Sequence, residues 1–215
     1  PTLERLDTIE TIDGSAGTTP ADHKEAFDLS RDLDDSHPEV AAGTPLYGPN
    51  QWPDLEGFRE EVDAYFAAAF EAAQMVSRGI ALALGLDPAY FTRRMTDSVT
   101  FLRMVHYPPV GAATADAQTS TGAEQPGCGA HTDYGLVTLL AQDDVGGLEV
   151  RGRDGRWIEV STERHQLVVN IGDMMARWSN DRWVSTLHRV RSPAREHRYS
   201  VPFFFDPHVS TVIRP

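Results

Sequence analysis

The sequence predicts a mainly β domain, an antiparallel β-sandwich or jelly roll with helical decoration, and two patterns predict it. After residue 100 the 215-residue chain breaks into many short apolar or alternating runs separated by Gly, Pro, Asn and Asp turn signals, the pattern of strands joined by tight turns. Ahead of them stands one long stretch with helical spacing, so helix and strands are segregated rather than alternating.

The length suits one domain with a substantial core. Lys and Arg number 19 against 32 Asp and Glu, a formal net charge of −13, which argues against a polyanionic partner because nucleic-acid proteins carry a basic face. No apolar run approaches the length of a membrane span, so no membrane partner is expected. The single cysteine, Cys128, excludes an internal disulfide and agrees with a reducing, cytoplasmic setting. Residues 1–13 lack the uninterrupted apolar region of a signal peptide, and the chain has no initiator Met. Oligomeric state is not legible.

Residues 1–53 are rich in Asp, Thr, Gly and Pro and read as an extended or loop-like segment covering the rest. His23 and His37 lie there without partners at ligand spacing and read as surface residues. From residue 54 to 84, Phe58, Val62, Phe66, Phe70, Ala73, Val76, Ile80 and Leu84 recur every three to four positions, the apolar stripe of a helix that packs on the β core. Asp54 can cap its start, and Gly85 followed by Pro88 can end it. Residues 54–215 thus form the helix plus the β core.

Residues 100–107 read as a strand broken by Pro108-Pro109. Arg103, Val105 and Tyr107 share one face; if that face lines a site, Tyr107 can donate a hydroxyl there, and otherwise it is a tyrosine at a strand edge. Residues 111–129 are poor in large apolar side chains and read as a mobile loop, either a lid or an inert insertion. Gly147 to Val150, the turn at Asp154-Gly155, and Trp157 to Val160 read as a hairpin. Leu167 to Ile171 reads as a buried strand ended by Gly172-Asp173, and Asn180-Asp181 and Ser192-Pro193-Ala194 turn the chain between the last strands.

Chemistry concentrates at His131-Thr132-Asp133, at the entrance to an apolar, Thr-containing strand. Side chains at i and i+2 of an extended segment share a face, so the imidazole and carboxylate can converge on one point, which suits a metal. His188, in a second strand-like run, is the best third ligand. Two histidines and one carboxylate with other positions open describe a non-haem Fe(II) oxygenase site. Cys128, three residues before His131, is either a further ligand or a small residue in the approach loop; no second cysteine completes a thiolate set. Ten positions after His188, Arg198 shares a strand face with Ser200. A guanidinium turned into a β-lined interior needs an anionic partner. No Asp or Glu stands at that strand position, so a ligand carboxylate fits; the alternative is a surface pair with Glu196.

His131-Thr132-Asp133, His188 and Arg198-Tyr199-Ser200 resemble the HxD…H and RxS motifs of the 2-oxoglutarate and Fe(II)-dependent dioxygenases, within the isopenicillin N synthase-like superfamily. His106-Tyr107-Pro108-Pro109, Val168-Val169-Asn170-Ile171-Gly172-Asp173 and Pro202-Phe203-Phe204 resemble the same family. The resemblance implies a double-stranded β-helix core. It implies Fe(II) on His131, Asp133 and His188, and 2-oxoglutarate with its distal carboxylate on Arg198 and Ser200, helped by Tyr107. Phe204 shares that strand face by period two and is read as lining the substrate pocket. The implied reaction consumes O2, converts 2-oxoglutarate to succinate and CO2, and oxidises, most simply hydroxylates, a small molecule, plausibly in specialised metabolism. Asp133 argues against a halogenase, in which that carboxylate position is vacated. Two other readings stand beside it: an iron oxidase of the same superfamily that does not use 2-oxoglutarate, and a non-catalytic jelly-roll binding protein. Family members usually carry a further N-terminal region, so a truncated, processed or naturally short start is expected.

Overall fold

A computed structural model describes residues 21–111 and 126–214. Over them the chain forms two antiparallel sheets. The larger orders its strands β1 (Glu25–Ser30), β2 (Phe101–Tyr107), β9 (Arg198–Phe205), β4 (Val137–Gln142) and β7 (Val168–Ile171); the smaller orders β3 (Pro126–His131), β8 (His188–Arg191), β5 (Leu148–Arg151) and β6 (Trp157–Glu159). Neighbours in each sheet are mostly distant in sequence, as a jelly roll requires. Val105, Tyr107, Cys128, Leu148 and Val190 form an apolar cluster to which both sheets contribute.

The alternation of β9 explains its two tasks. Phe203 and Phe205 are fully buried on the outer face, where they meet Phe66 and Phe70 of helix α2 (Phe58–Ala83) edge to face at 5.1 and 5.3 Å. Residues 198, 200, 202 and 204 face the other way, into a cavity between the sheets. Small residues Ala69, Ala73, Ser77 and Ala81 are, with Ile80, the buried positions of α2 and let it lie close to the sheet. Its end follows the expectation: Gly85 has φ +75, and the Leu86 and Gly85 amides donate to the Ala81 and Leu82 carbonyls, a Schellman termination. Its start does not. The helix begins at Phe58 behind Gly57, which caps without a side-chain hydrogen bond, and Glu60 and Glu61, not Asp54, put negative charge in the first turn.

Other differences have local causes. Residues 25–30, read as extended or loop-like cover, take the extended form as β1, which pairs with β2 and holds Arg103 through both Asp28 oxygens at 2.7 Å. A short helix α1 (Pro38–Ala41) starts at His37, whose Nδ1 accepts from the Glu39 amide. Residues 126–129, expected as loop, belong to β3, and the rest of the expected mobile loop, residues 112–125, lies outside the described residues. Strand β7 is not buried. It is an edge strand, and Val169 within it and Leu167 just before it stand 46% and 40% exposed. Gly172-Asp173 does not simply end that strand but opens helix α3 (Asp173–Trp178). The hairpin of β5 and β6 stands where expected. Asn180 and Asp181 turn the chain with φ of 54° and 57°. No helix among the described residues is long and apolar enough to cross a membrane.

One close approach matters for the site. A Cβ at Gly172 would overlap the Gly135 carbonyl, and one at Gly135 would overlap the Asp206 carboxylate. Through this contact the Gly172, Asp173 and Met174 amides donate to the Leu136, Asp133 and Tyr134 carbonyls at 3.0, 2.7 and 3.0 Å. Gly172→Ala is expected to lower stability by about 1–3 kcal/mol through overpacking, read as a shift of the urea midpoint, and to weaken metal binding because the displaced segment carries Asp133.

Candidate active site

His131 closes β3 and His188 opens β8, and the two are direct cross-strand partners. A longer strand over residues 184–190 is expected around His188; the strand starts at the histidine itself. Each imidazole is oriented by the backbone. His131 Nδ1–H donates to the Gly129 carbonyl at 2.7 Å and His188 Nδ1–H to the Thr186 carbonyl at 3.0 Å. Both rings therefore present Nε2 as the free lone pair. Burial, and then the neighbouring His131, hold the His188 pKa below its ordinary value, so the neutral, ligating form dominates at neutral pH.

Asp133 comes from the connection after β3 and is buried. Its Oδ1 lies 3.9 Å from His131 Nε2 and 3.6 Å from His188 Nε2, and the three ligand atoms lie within 4.8 Å of one another. Ligands bonded at about 2.0–2.2 Å to one ion sit roughly 3 Å apart when adjacent, so the triad needs to draw in only slightly around a metal. Two nitrogens and one oxygen on one side of the ion fit Fe(II) with positions left open.

Cys128 stays out of this set. Its Sγ sits 3.7 Å from His131 Nδ1, on the side of the ring that faces the Gly129 carbonyl. The Lys24 ammonium contacts it at 3.0 Å, and burial raises the thiol pKa.

The cavity beside the triad holds the other expected residues. Tyr107, Arg198, Ser200 and Phe204 all line it, and it opens to solvent on one side. Arg198 is 1% exposed, which rules out a surface pair with Glu196. Its Nε donates to the Gly146 carbonyl at 2.7 Å and one Nη to Gln142 Oε1 at 2.9 Å; Gly146 reaches this position with φ +84, a conformation glycine adopts freely. The guanidinium carbon lies 4.8 Å from the centre of the Tyr107 ring. The remaining Nη1 is buried without a hydrogen-bond partner among the described residues. A buried cationic donor left unmatched is costly, and an anionic oxygen from a ligand is the fitting partner. Burial raises the Tyr107 pKa, which keeps the phenol protonated.

Several participants have no role legible in the sequence, Asn170 among them although it lies in the Val168 to Asp173 motif. Gln142 and Gly146 hold Arg198, Asn170 Nδ2 donates to Asp133 Oδ2 at 2.6 Å, and Thr138 lines the cavity with a buried, unpartnered hydroxyl. Asp206, just after β9, is a second carboxylate near Asp133. Burial and the Asp133 charge push its pKa up to about 6, and its Oδ1 has no hydrogen-bond partner among the described residues.

Two imidazoles and one carboxylate at the rim of a jelly roll, beside a cavity with an unmatched buried guanidinium, define a mononuclear 2-His-1-carboxylate metal site with a pocket for an anionic co-ligand. Residues 97–207 match the 2OG-Fe(II) oxygenase superfamily, and the chain belongs to that family. It is 38% identical over 194 residues to the 2-oxoglutarate-Fe(II) type oxidoreductase hxnY of Emericella nidulans, covering 88% of this chain and 54% of that protein. It is also 38% identical over 198 residues to a homoarginine-6-hydroxylase of Glycine max, covering 90% and 58%. Among solved structures, a full-length Neurospora crassa protein in complex with alpha-KG superposes with a TM-score of 0.76 at 34% identity, covering 90% of this chain and 57% of that one. The chain thus spans somewhat over half the length of these relatives.

Proposed function

We propose that this protein is a non-haem Fe(II) and 2-oxoglutarate-dependent oxygenase that oxidises, most simply hydroxylates, a small molecule. The observation that carries the reading is the unpartnered Arg198 Nη1, buried in the same cavity as the His131, Asp133 and His188 ligand atoms. In this reading the triad holds iron, which when bound supplies the oxygen-activating chemistry that side chains lack. Arg198 takes the distal carboxylate of 2-oxoglutarate, with Ser200 and Tyr107 adding hydroxyls, and so orients the keto-acid end toward the metal. The apolar walls, Phe204 among them, keep water from the reacting centre. Family membership and a relative crystallised with alpha-KG support the cosubstrate. Structures of the same Neurospora crassa relative with thymine or 5-formyluracil support a small organic substrate. The net charge of −13 argues against a nucleic-acid partner, and the lone thiol supports a cytoplasmic setting; a role in specialised metabolism belongs to the same proposal.

Anaerobic titration with Fe(II) and then 2-oxoglutarate tests it. A weak visible charge-transfer band is expected only when both are present, and His188→Ala is expected to abolish it by removing a ligand. Fe(II) binding without a band at saturating 2-oxoglutarate would move the protein to the oxidase reading.

A further inference from the structure

The two oxygens of Asp133 have different neighbours. Oδ1 faces both imidazole Nε2 atoms, whereas Oδ2 receives the Asn170 amide at 2.6 Å. An ionised carboxylate only accepts, so the Asn170 atom in contact is its NH2 group. Among the described residues this is the one side-chain hydrogen bond to Oδ2. The backbone around Asp133 is held separately, by the Asp173 amide on the Asp133 carbonyl and by Thr132 Oγ1 on Asp173. Asn170 thus contacts the carboxylate head, while other groups hold the loop backbone. Asn170 is well placed for this. It pairs with Thr138 across β4 and β7 and lines the cavity beside the triad.

We propose that Asn170 is a positioning residue that keeps Asp133 a one-oxygen ligand and so preserves an open position on the metal. The proposal rests on the Fe(II) reading of the triad. A carboxylate can bind an ion through one oxygen or two. Three single-atom ligands leave three octahedral positions, enough for a two-point chelating keto acid and one further small ligand. If Oδ2 also bound, one of these would be lost. The charge-assisted bond from Asn170 satisfies Oδ2 and removes its incentive to turn toward the metal.

The test is Asn170→Leu, which keeps the side-chain shape and removes the donor, with Asn170→Ala as a second variant and a thermal melt as a folding control. Three quantities are read: the Fe(II) dissociation constant, the 2-oxoglutarate concentration that half-develops the charge-transfer band at saturating Fe(II), and the iron K-edge fine structure of the Fe(II)-loaded protein. The expected result in both variants is Fe(II) affinity within about threefold of wild type, with the 2-oxoglutarate requirement raised about 10-fold or more. A short iron–carbon path, characteristic of a two-oxygen carboxylate, should appear in the variants and be absent from wild type. Fe(II) affinity and 2-oxoglutarate binding falling together would show a merely structural residue and overturn the proposal, as would an unchanged 2-oxoglutarate requirement. A wild-type protein that binds Fe(II) but shows no band would defeat the cosubstrate reading; the fine structure of wild type against variant would still decide the role of Asn170.

Discussion

Arg198→Ala is expected to raise the 2-oxoglutarate concentration needed for half-maximal charge-transfer signal by on the order of a hundredfold or more, while leaving Fe(II) affinity near wild type. Removing one partner of a buried, hydrogen-bonded charge pair costs about 2–5 kcal/mol, and about 1.4 kcal/mol is tenfold. The residue qualifies because it is fully buried, its Nε and one Nη are already fixed by Gly146 and Gln142, and only Nη1 remains to be matched. It is not one of the three ligands, so the metal affinity should not follow. Arg198→Lys separates charge from geometry. An ammonium cannot hold the Gly146 carbonyl, Gln142 and a carboxylate in one planar fork, so lysine should recover only part of the loss. Equal 2-oxoglutarate requirements in wild type and Arg198→Ala would show that the guanidinium serves the fold and not the cosubstrate.

Period-two reasoning places much of this site. It puts Arg198, Ser200 and Phe204 on one strand face, with Tyr107 on the face of another strand, and all four line the cavity. The physical reason is that a strand's side-chain direction is a local property, set by the pleat. Residues whose role depends on register are invisible to it. Gln142 reaches Arg198 because it pairs with Ser200 across β4 and β9, and Asn170 reaches Asp133 from β7, whose pairing with β4 no local pattern specifies. The same limit explains β7. An apolar run such as Leu167 to Ile171 reads as buried, but burial depends on what lies alongside, and here one side of the strand has no neighbour among the described residues. Helix α3 is not legible because its six residues are too few to show a period. The long helix is legible from its stripe, and its C-terminus from Gly85, whereas its start at Gly57 carries no side-chain signal.

Asp206 supplies the second large effect, a stability that declines as pH rises. Burial, and then the Asp133 charge, raise its carboxyl from 3.8 to about 6. Below about 4 the group is protonated in the folded and unfolded chain alike and contributes nothing to their difference. Between about 4 and 6 the folded chain keeps a proton that the unfolded chain has released, so folded stability falls with rising pH. Above about 6 the full penalty is present, roughly 3 kcal/mol for a carboxyl raised from 3.8 to about 6. Asp206→Asn removes the ionisation while keeping the side-chain shape. In metal-free protein the variant is expected to be more stable than wild type at pH 8 by up to roughly 3 kcal/mol, with the advantage shrinking toward zero near pH 4. Urea denaturation at a series of pH values in the presence of a chelator measures this directly. A constant difference between the two proteins from pH 4 to 8 would mean that Asp206 does not titrate in that range. Bound metal should shrink the advantage at pH 8, because a cation on Asp133 offsets the neighbouring charge that raises the Asp206 pKa. The same coupling then makes metal binding favour ionised Asp206, and affinity should improve as pH rises through about 6.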